Sequence, residues 1–195
     1  MLFQGQEFGT SSPFVFFADH HAQLARQVHE GRKEFLRQFP SLATEAAQAC
    51  VPVPSGEETM QRCKLDFVER QENAAVYQMH KDLLRLRREE PTLRPRDQRW
   101  YDGAVFCDHS FCLRYFGDTP REDGLLLVNL GTDWSLTPNP EPLMAPPADC
   151  EWAVAWSSED PKYGGSGTPK FTPDATWKAP GEAALWLRPA EVTHG

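Results

Sequence analysis

The hydrophobic pattern of this chain changes its period once, near residue 100. Before that point apolar side chains recur at intervals of three, four and seven residues, the spacing of one face of a helix. Beyond it they gather into short runs closed by Gly, Pro, Asp or Asn, the pattern of strands joined by turns. The two halves therefore call for different layers: a mainly helical region over residues 1–100 and an all-β region over residues 101–195.

In the first half, Leu24, Val28, Phe35 and Phe39 predict a helix from about Asp19 to Gln38, with Asp19 as its N-cap. Pro40 stops it, and a shorter helix is expected from Leu42 to Ala49. Val51-Pro52-Val53-Pro54 reads as an extended linker. Ser55 followed by Glu58 resembles a capping box. The clearest helix runs from Asn73 to Glu90, with a stripe of Val76, Met79, Leu83 and Leu86 closed by an Arg-rich end and Pro91. The Met and Leu stripe reads as core packing rather than a cofactor box. At the front, Met1-Leu2-Phe3 is an apolar run leading into a Gly-punctuated loop, as in a buried strand of a parallel sheet.

In the second half the runs are Phe111-Cys112-Leu113-Arg114-Tyr115-Phe116, Leu125 to Leu130, Trp152 to Trp156 and Ala184 to Leu187. They predict an antiparallel β-sandwich with Trp152 or Trp156 in its core. Trp134, Trp177 and Trp186 belong with that core, although the same rings would also suit a glucan-binding face.

Charge and cysteine content exclude several functions. The net charge of −8, from 20 basic and 28 acidic residues, repels phosphate backbones and argues against nucleic acid as a partner. The basic run from Arg85 to Arg99 is broken by Glu89, Glu90 and Asp97 and reads as a solvated helix end. Five cysteines without a Cys-x-x-Cys pair fit reduced thiols in a cytoplasmic protein. No apolar run approaches the length of a membrane span. No cofactor motif is present: Gly164-Gly165-Ser166-Gly167 lacks the Lys and following helix of a phosphate loop.

Particular strings go further. Met1-Leu2-Phe3-Gln4-Gly5-Gln6-Glu7-Phe8-Gly9 resembles the eighth-strand segment of the α-amylase superfamily barrel. Ser12-Pro13-Phe14-Val15-Phe16-Phe17-Ala18-Asp19-His20 narrows the resemblance to the maltooligosyltrehalose trehalohydrolases. Gly31-Arg32-Lys33-Glu34-Phe35, Lys64-Leu65-Asp66-Phe67, Leu125 to Gly131 and the string from Trp156 to Gly165 are similar to later parts of the same family. The resemblance implies an α/β fold, the C-terminal end of a (β/α)8 barrel with its last strand and helices, followed by the antiparallel β-sandwich.

It also implies a reaction: release of trehalose from maltooligosyltrehalose by retaining hydrolysis of the α-1,4 bond beside the trehalose unit. Such chemistry uses one carboxylate as nucleophile and another as general acid. In the family these groups, and a third Asp, lie on strands four, five and seven, ahead of the segments matched here. No residue of this chain is carried over as catalytic. Met1 falls inside the matched eighth strand, so the expectation is a truncated or incomplete chain that works with a missing N-terminal barrel region and takes an α-glucan substrate. The alternative is a noncatalytic glucan-binding or structural module.

The residues expected near substrate are Gln6, Glu7, Phe14, Phe16, Phe17 and Asp19. Barrel catalysis sits at the C-terminal strand ends, where Gln6 and Glu7 fall. Glu7 has two readings side by side, a group that orients the site and a loop carboxylate satisfying backbone N–H groups. Phe14, Phe16 and Phe17 suit the apolar faces of pyranose rings, but the expectation for each ring is a buried aromatic cluster. Asp19-His20-His21 reads as a cap rather than a metal site, because adjacent residues at a helix start point apart.

Overall fold

The computed structural model describes residues 2–94, 100–136, 141–168 and 177–192, so Met1, Asp97 and Arg99 of the reading above lie outside the described residues. The chain forms two compact units, Met1–Tyr77 and Gln78–Gly195.

The first unit holds α1 (Ala22–Leu36), α2 (Glu45–Ala49), α3 (Glu57–Arg62), α4 (Glu69–Glu72) and the opening of α5 (Ala74–Glu89). The helices fall where the spacing puts them, but their ends differ. Asp19 does not cap α1; the N-cap is His21, and no side chain bonds back to the helix there. The Ala18 N–H donates to the carbonyl of Pro54 at 2.9 Å, which holds the backbone out of the helix up to Asp19. The capping box at Ser55 is also absent: Gly56 is the N-cap of α3, and the Thr59 hydroxyl bonds the Val53 carbonyl instead. Thr44 caps α2 by accepting from the Ala47 N–H.

The expected strand at the front is a second correction. Leu2 and Phe3 enter no ladder and lead into a 3-10 turn, Gln6–Phe8. A strand exists through its pairing, and no described segment pairs with Leu2 or Phe3, which stay 47% and 55% exposed. The same holds for α1. Its apolar stripe specifies a helix, but none of its residues is buried, because a stripe needs a facing layer before it becomes a core.

The second unit contains β1 (Tyr101–Cys107), β2 (Ser110–Tyr115), β3 (Gly124–Asn129), β4 (Trp134–Leu136), β5 (Cys150–Ser157), β6 (Trp177–Ala179) and β7 (Ala183–Glu191). Four of these coincide with the four apolar runs. All pairings are antiparallel: a five-stranded sheet in the order β1-β2-β3-β7-β5 and a two-stranded ribbon, β4-β6. On one face of the large sheet, Cys112, Leu125, Leu127, Trp152, Leu185 and Leu187 pack with Met144 and with Trp134, Trp177 and Ala179 of the ribbon. The described residues thus set a ribbon, not a second broad sheet, against that face.

A bulge decides which tryptophan enters this core. The β5–β7 register shifts between Val154 and Trp156, and one extra residue in a strand reverses the alternation of its side chains. Trp152 and Val154 therefore join the core, with the Trp152 indole N–H donating to the Met144 carbonyl at 2.8 Å. Trp156 goes to the other face with Leu113, Tyr115, Leu126 and Trp186, beside Leu83 and Leu86 of α5. Gly124 lies under the Trp186 ring so closely that a Cβ would stand 2.2 Å from it.

Polar groups lock the turns. Buried Asn129 donates to the carbonyls of Thr132 and Pro180, both at 2.8 Å, and accepts from the Ser110 hydroxyl. Arg114 pairs with buried Asp123 at 2.8 Å and donates to the Ala145 carbonyl. All five cysteines are free, so Cys107 and Cys112 form no bond.

Candidate substrate-facing loop

The residues expected near substrate lie on one segment of the first unit, from Leu2 to His20, and the fold pins that segment at both ends. Gly5 has φ +78°, and a Cβ there would meet Thr10 at 2.3 Å, so the turn requires glycine. The Thr10 N–H then donates to the Gly5 carbonyl at 3.0 Å. Within this turn Gln6 is exposed, Glu7 half-buried and Phe8 fully buried. The Gln6 side chain is spent locally, for its Oε1 accepts from the Phe3 N–H at 3.1 Å.

Beneath the turn, the Arg70 guanidinium lies 4.5 Å from the Phe67 ring centre and 5.4 Å from that of Phe8. The Asn73 amide donates to the Phe8 carbonyl at 2.9 Å. Glu69 takes the next two residues: its carboxylate accepts from the Thr10 hydroxyl at 2.6 Å and from the Ser11 N–H at 3.1 Å. Hydrogen bonding from Ser11 and Thr10 holds the Glu69 carboxyl below its ordinary pKa.

The attachment continues along the aromatic stretch. The Ser12 hydroxyl donates to the Lys64 carbonyl at 2.8 Å. The Val15 N–H lies 3.4 Å from Cys63 Sγ, and the Cys63 thiol lies 3.2 Å from the Val15 carbonyl. The Ala18 bond to Pro54 closes the row. Between these anchors the backbone is held and the rings face outward.

That outward display corrects the expectation of a buried cluster. Phe14, Phe16 and Phe17 are 48%, 41% and 39% exposed. Phe14 meets Phe3 edge to face at 4.9 Å and Phe17 at 6.1 Å. Phe16 stands apart from them, under the Arg32 guanidinium at 5.4 Å. The structure thus brings Gln6, Phe3, Phe14 and Phe17 into one chain of contacts, while Asp19 remains exposed at the far end. Among the described residues no three His, Cys, Asp or Glu side chains converge as a metal site, and no helix is long and apolar enough to cross a membrane.

Sequence reasoning missed Glu69, Arg70, Asn73 and Cys63, the groups that hold the loop. Glu69 and Asn73 sit 59 and 65 residues from their partners. Nothing local marks a carboxylate or an amide as a tether at that distance.

No family model matches the chain. Curated proteins do. The chain is 38% identical over 139 residues to a malto-oligosyltrehalose trehalohydrolase of Deinococcus radiodurans, covering 68% of this chain and 21% of that protein. It is 38% identical over 96 residues to the enzyme of that name from Mycobacterium tuberculosis, covering 48% and 16%. With the one from Rhizobium sp. it shares 35% over 120 residues, 60% and 19%. The chain therefore spans about a fifth of the length of these relatives.

Among solved structures, a putative alpha amylase from Salmonella typhimurium superposes on 95% of this chain and 27% of its own, with a TM-score of 0.63 and 23% identity. A trehalulose synthase variant covers 97% of this chain and 35% of its own, with a TM-score of 0.50 and 14% identity. Those two likenesses concern the fold. By its sequence, the chain is a relative of the malto-oligosyltrehalose trehalohydrolases.

Proposed function

We propose that this chain serves in a glycoside hydrolase that releases trehalose from malto-oligosyltrehalose by cutting the α-1,4 bond next to the trehalose unit. The 38% identity with the Deinococcus radiodurans protein over 139 residues carries this reading. In it, the nucleophile and the general acid come from a barrel region N-terminal to the matched segments, and residues 1–195 alone do not hydrolyse substrate. The pinned loop supports a substrate-facing role, because its backbone is fixed while Phe14, Phe16 and Phe17 offer apolar faces to a pyranose. Gln6, Glu7 and Asp19 are its polar neighbours on the same segment. In this reading residues 1–100 go with the barrel, and residues 101–195 are the accessory β domain, in which the β4-β6 ribbon takes the place of a sandwich's second sheet. Five free thiols suit the cytoplasm.

The test joins this chain to the N-terminal four-fifths of the Deinococcus radiodurans protein and measures trehalose release from malto-oligosyltrehalose. The joined protein is expected to be active and residues 1–195 alone inactive. Trehalose release by the isolated chain, abolished by Glu7→Gln, would place the chemistry here and overturn the reading. A second reading, a noncatalytic glucan-binding module, is favoured by the exposed rings; it is supported if the isolated chain binds maltoheptaose and the joined protein stays inactive.

A further inference from the structure

The second unit contains a cleft of about 600 Å³ between α5 and the large sheet. It lies on the face opposite the ribbon, and it is independent of the pinned loop. Its apolar wall includes Leu83 and Leu86 from the helix and a row of aromatic rings from the sheet side. Trp100 meets Tyr101 at 5.7 Å, Tyr101 meets Tyr115 at 5.8 Å, and Tyr115 meets Trp186 at 5.5 Å. A volume of this size suits a small organic molecule, for which the usual range is about 300–1,000 Å³.

The polar groups among the lining residues are three indoles, two phenols and one guanidinium. The indole N–H groups of Trp100 and Trp186 are both buried and find no acceptor. Trp186 itself is 1% exposed. Burial raises the pKa of Tyr115, and neighbouring Tyr101 raises it further, so its hydroxyl remains protonated and able to donate. Arg87 stands at the exposed rim, and no carboxylate of the described residues pairs with it. Among the described residues the lining contains no Asp, Glu, Asn or Gln.

An unpaired guanidinium at the mouth of an aromatic cleft calls for a ligand that brings acceptor oxygens. A sugar ring is a poor match, because its hydroxyls must also donate and, beyond the two tyrosine oxygens, the described lining side chains offer them no acceptor. A flat apolar body carrying a carboxylate satisfies both requirements: rings and leucines take the body, while Arg87 takes the oxygens. We propose that this cleft is a binding site for a small aromatic carboxylate.

Isothermal titration of the full chain with 2-naphthoate tests this, alongside ¹H–¹⁵N spectra that follow the indole N–H resonances. One site is expected, with the Trp100 and Trp186 indole signals shifting on binding. Arg87→Met should weaken binding at least tenfold and Arg87→Lys should restore part of it, both without changing the circular dichroism of the free protein. Leu86→Trp, which fills the cleft, should abolish binding. Neutral 2-naphthylmethanol should bind at least tenfold more weakly than the acid. Absence of binding, equal affinity for the alcohol, or binding that survives both Arg87→Met and Leu86→Trp overturns the proposal, the last by placing the ligand elsewhere. Displacement of naphthoate by maltoheptaose would assign the cleft to glucan and overturn it as well.

Discussion

The hydroxyl of Tyr163 donates a 2.6 Å hydrogen bond to Oδ2 of Asp82, a residue 81 positions earlier in the chain. Asp82 is 6% exposed on α5. It also accepts from Gln78 at 3.0 Å and pairs with Arg85 at 2.9 Å and Lys162 at 3.3 Å. Trp156 in turn donates its indole N–H to the Tyr163 oxygen at 3.1 Å. The string from Trp156 to Gly165, one of those that carry the family resemblance, is thus the part of the β-rich unit that fastens α5. Gly165 packs against the Glu159 backbone with no room for a Cβ, which keeps the turn closed around this network.

Removing the phenol hydroxyl should leave a buried carboxylate one donor short. Tyr163→Phe is expected to destabilise the second unit by about 1–3 kcal/mol, seen as a lower urea midpoint at neutral pH. The Tyr163 bond, then Lys162 and Arg85, hold the Asp82 pKa below its ordinary value. That contribution is fully present above the pKa of Asp in the unfolded chain, about 3.9, and is lost as pH falls through the lowered folded value. The gap between wild type and Tyr163→Phe should therefore narrow in acid. A gap that widens below that range would mean that Asp82 is not the partner that matters.

Glu69 makes a parallel case in the first unit, at the surface. Glu69→Gln should leave α4 in place but free the start of the loop, so amide exchange at Thr10, Ser11 and Ser12 should quicken while that of α5 stays unchanged. Because the Glu69 carboxyl is held below its ordinary pKa by Ser11 and Thr10, the wild-type loop should loosen in the same way only as pH drops beneath the usual Glu range. Equal exchange in both proteins at neutral pH would show that the other anchors suffice without it.

The two candidate core tryptophans separate by stability. Trp152 is buried and bonded to Met144, whereas Trp156 is half-buried on the other face. Trp152→Ala should cost about 3–5 kcal/mol, as large buried rings do, and Trp156→Ala clearly less. Equal losses measured by denaturant unfolding would contradict the register shift in β5.

The sequence specified these elements unevenly, for physical reasons. The four strands with apolar runs were legible: β2, β3 and β7 have neighbours on both sides, and β5, although an edge, carries Trp152, Val154 and Trp156. β1 was not: it is an edge strand with mostly exposed residues and a Gly in its middle, so its pattern carries little periodicity. β4 and β6 are three residues each, too short to show alternation. The choice between Trp152 and Trp156 hung on a bulge, which shifts a register without leaving a local signature. Within the loop, the order of the candidate residues was readable, but not that the rings face outward, since exposure depends on which layers surround the segment.

The place of α5 yields a prediction about where the chain can be divided. Asp82 reaches Tyr163 and Lys162, Glu90 pairs with Arg188, and Leu83 and Leu86 lie beside the sheet face. A fragment of residues 78–195 should unfold in one cooperative transition, while a fragment of residues 101–195 should bare that face and lose the two polar ties. The second fragment is expected to melt at lower temperature and to bind more of a hydrophobic dye. Matching transitions would show that the sheet stands without its helix.

The exposed rings of the first unit predict association. Among the described residues, twelve large hydrophobic side chains of residues 2–77 are exposed, including Leu2, Phe3, Phe14, Phe17 and Phe35, against six in the rest of the chain. Exposed apolar clusters of this kind seek cover, from another protein region or from a second copy of the same chain. Purified on its own, the chain should therefore show concentration-dependent self-association by light scattering, stronger than that of residues 78–195 under matched conditions. Apolar contacts of this origin should strengthen in sulfate. The anchors at Ser12 and Val15 do not involve the ring faces, so Phe14→Ser combined with Phe17→Ser should reduce association without unfolding α1 to α4, as judged by circular dichroism. A wild-type chain that remains monomeric at high concentration, in dilute salt and in sulfate alike, would show that these rings find their cover within the molecule.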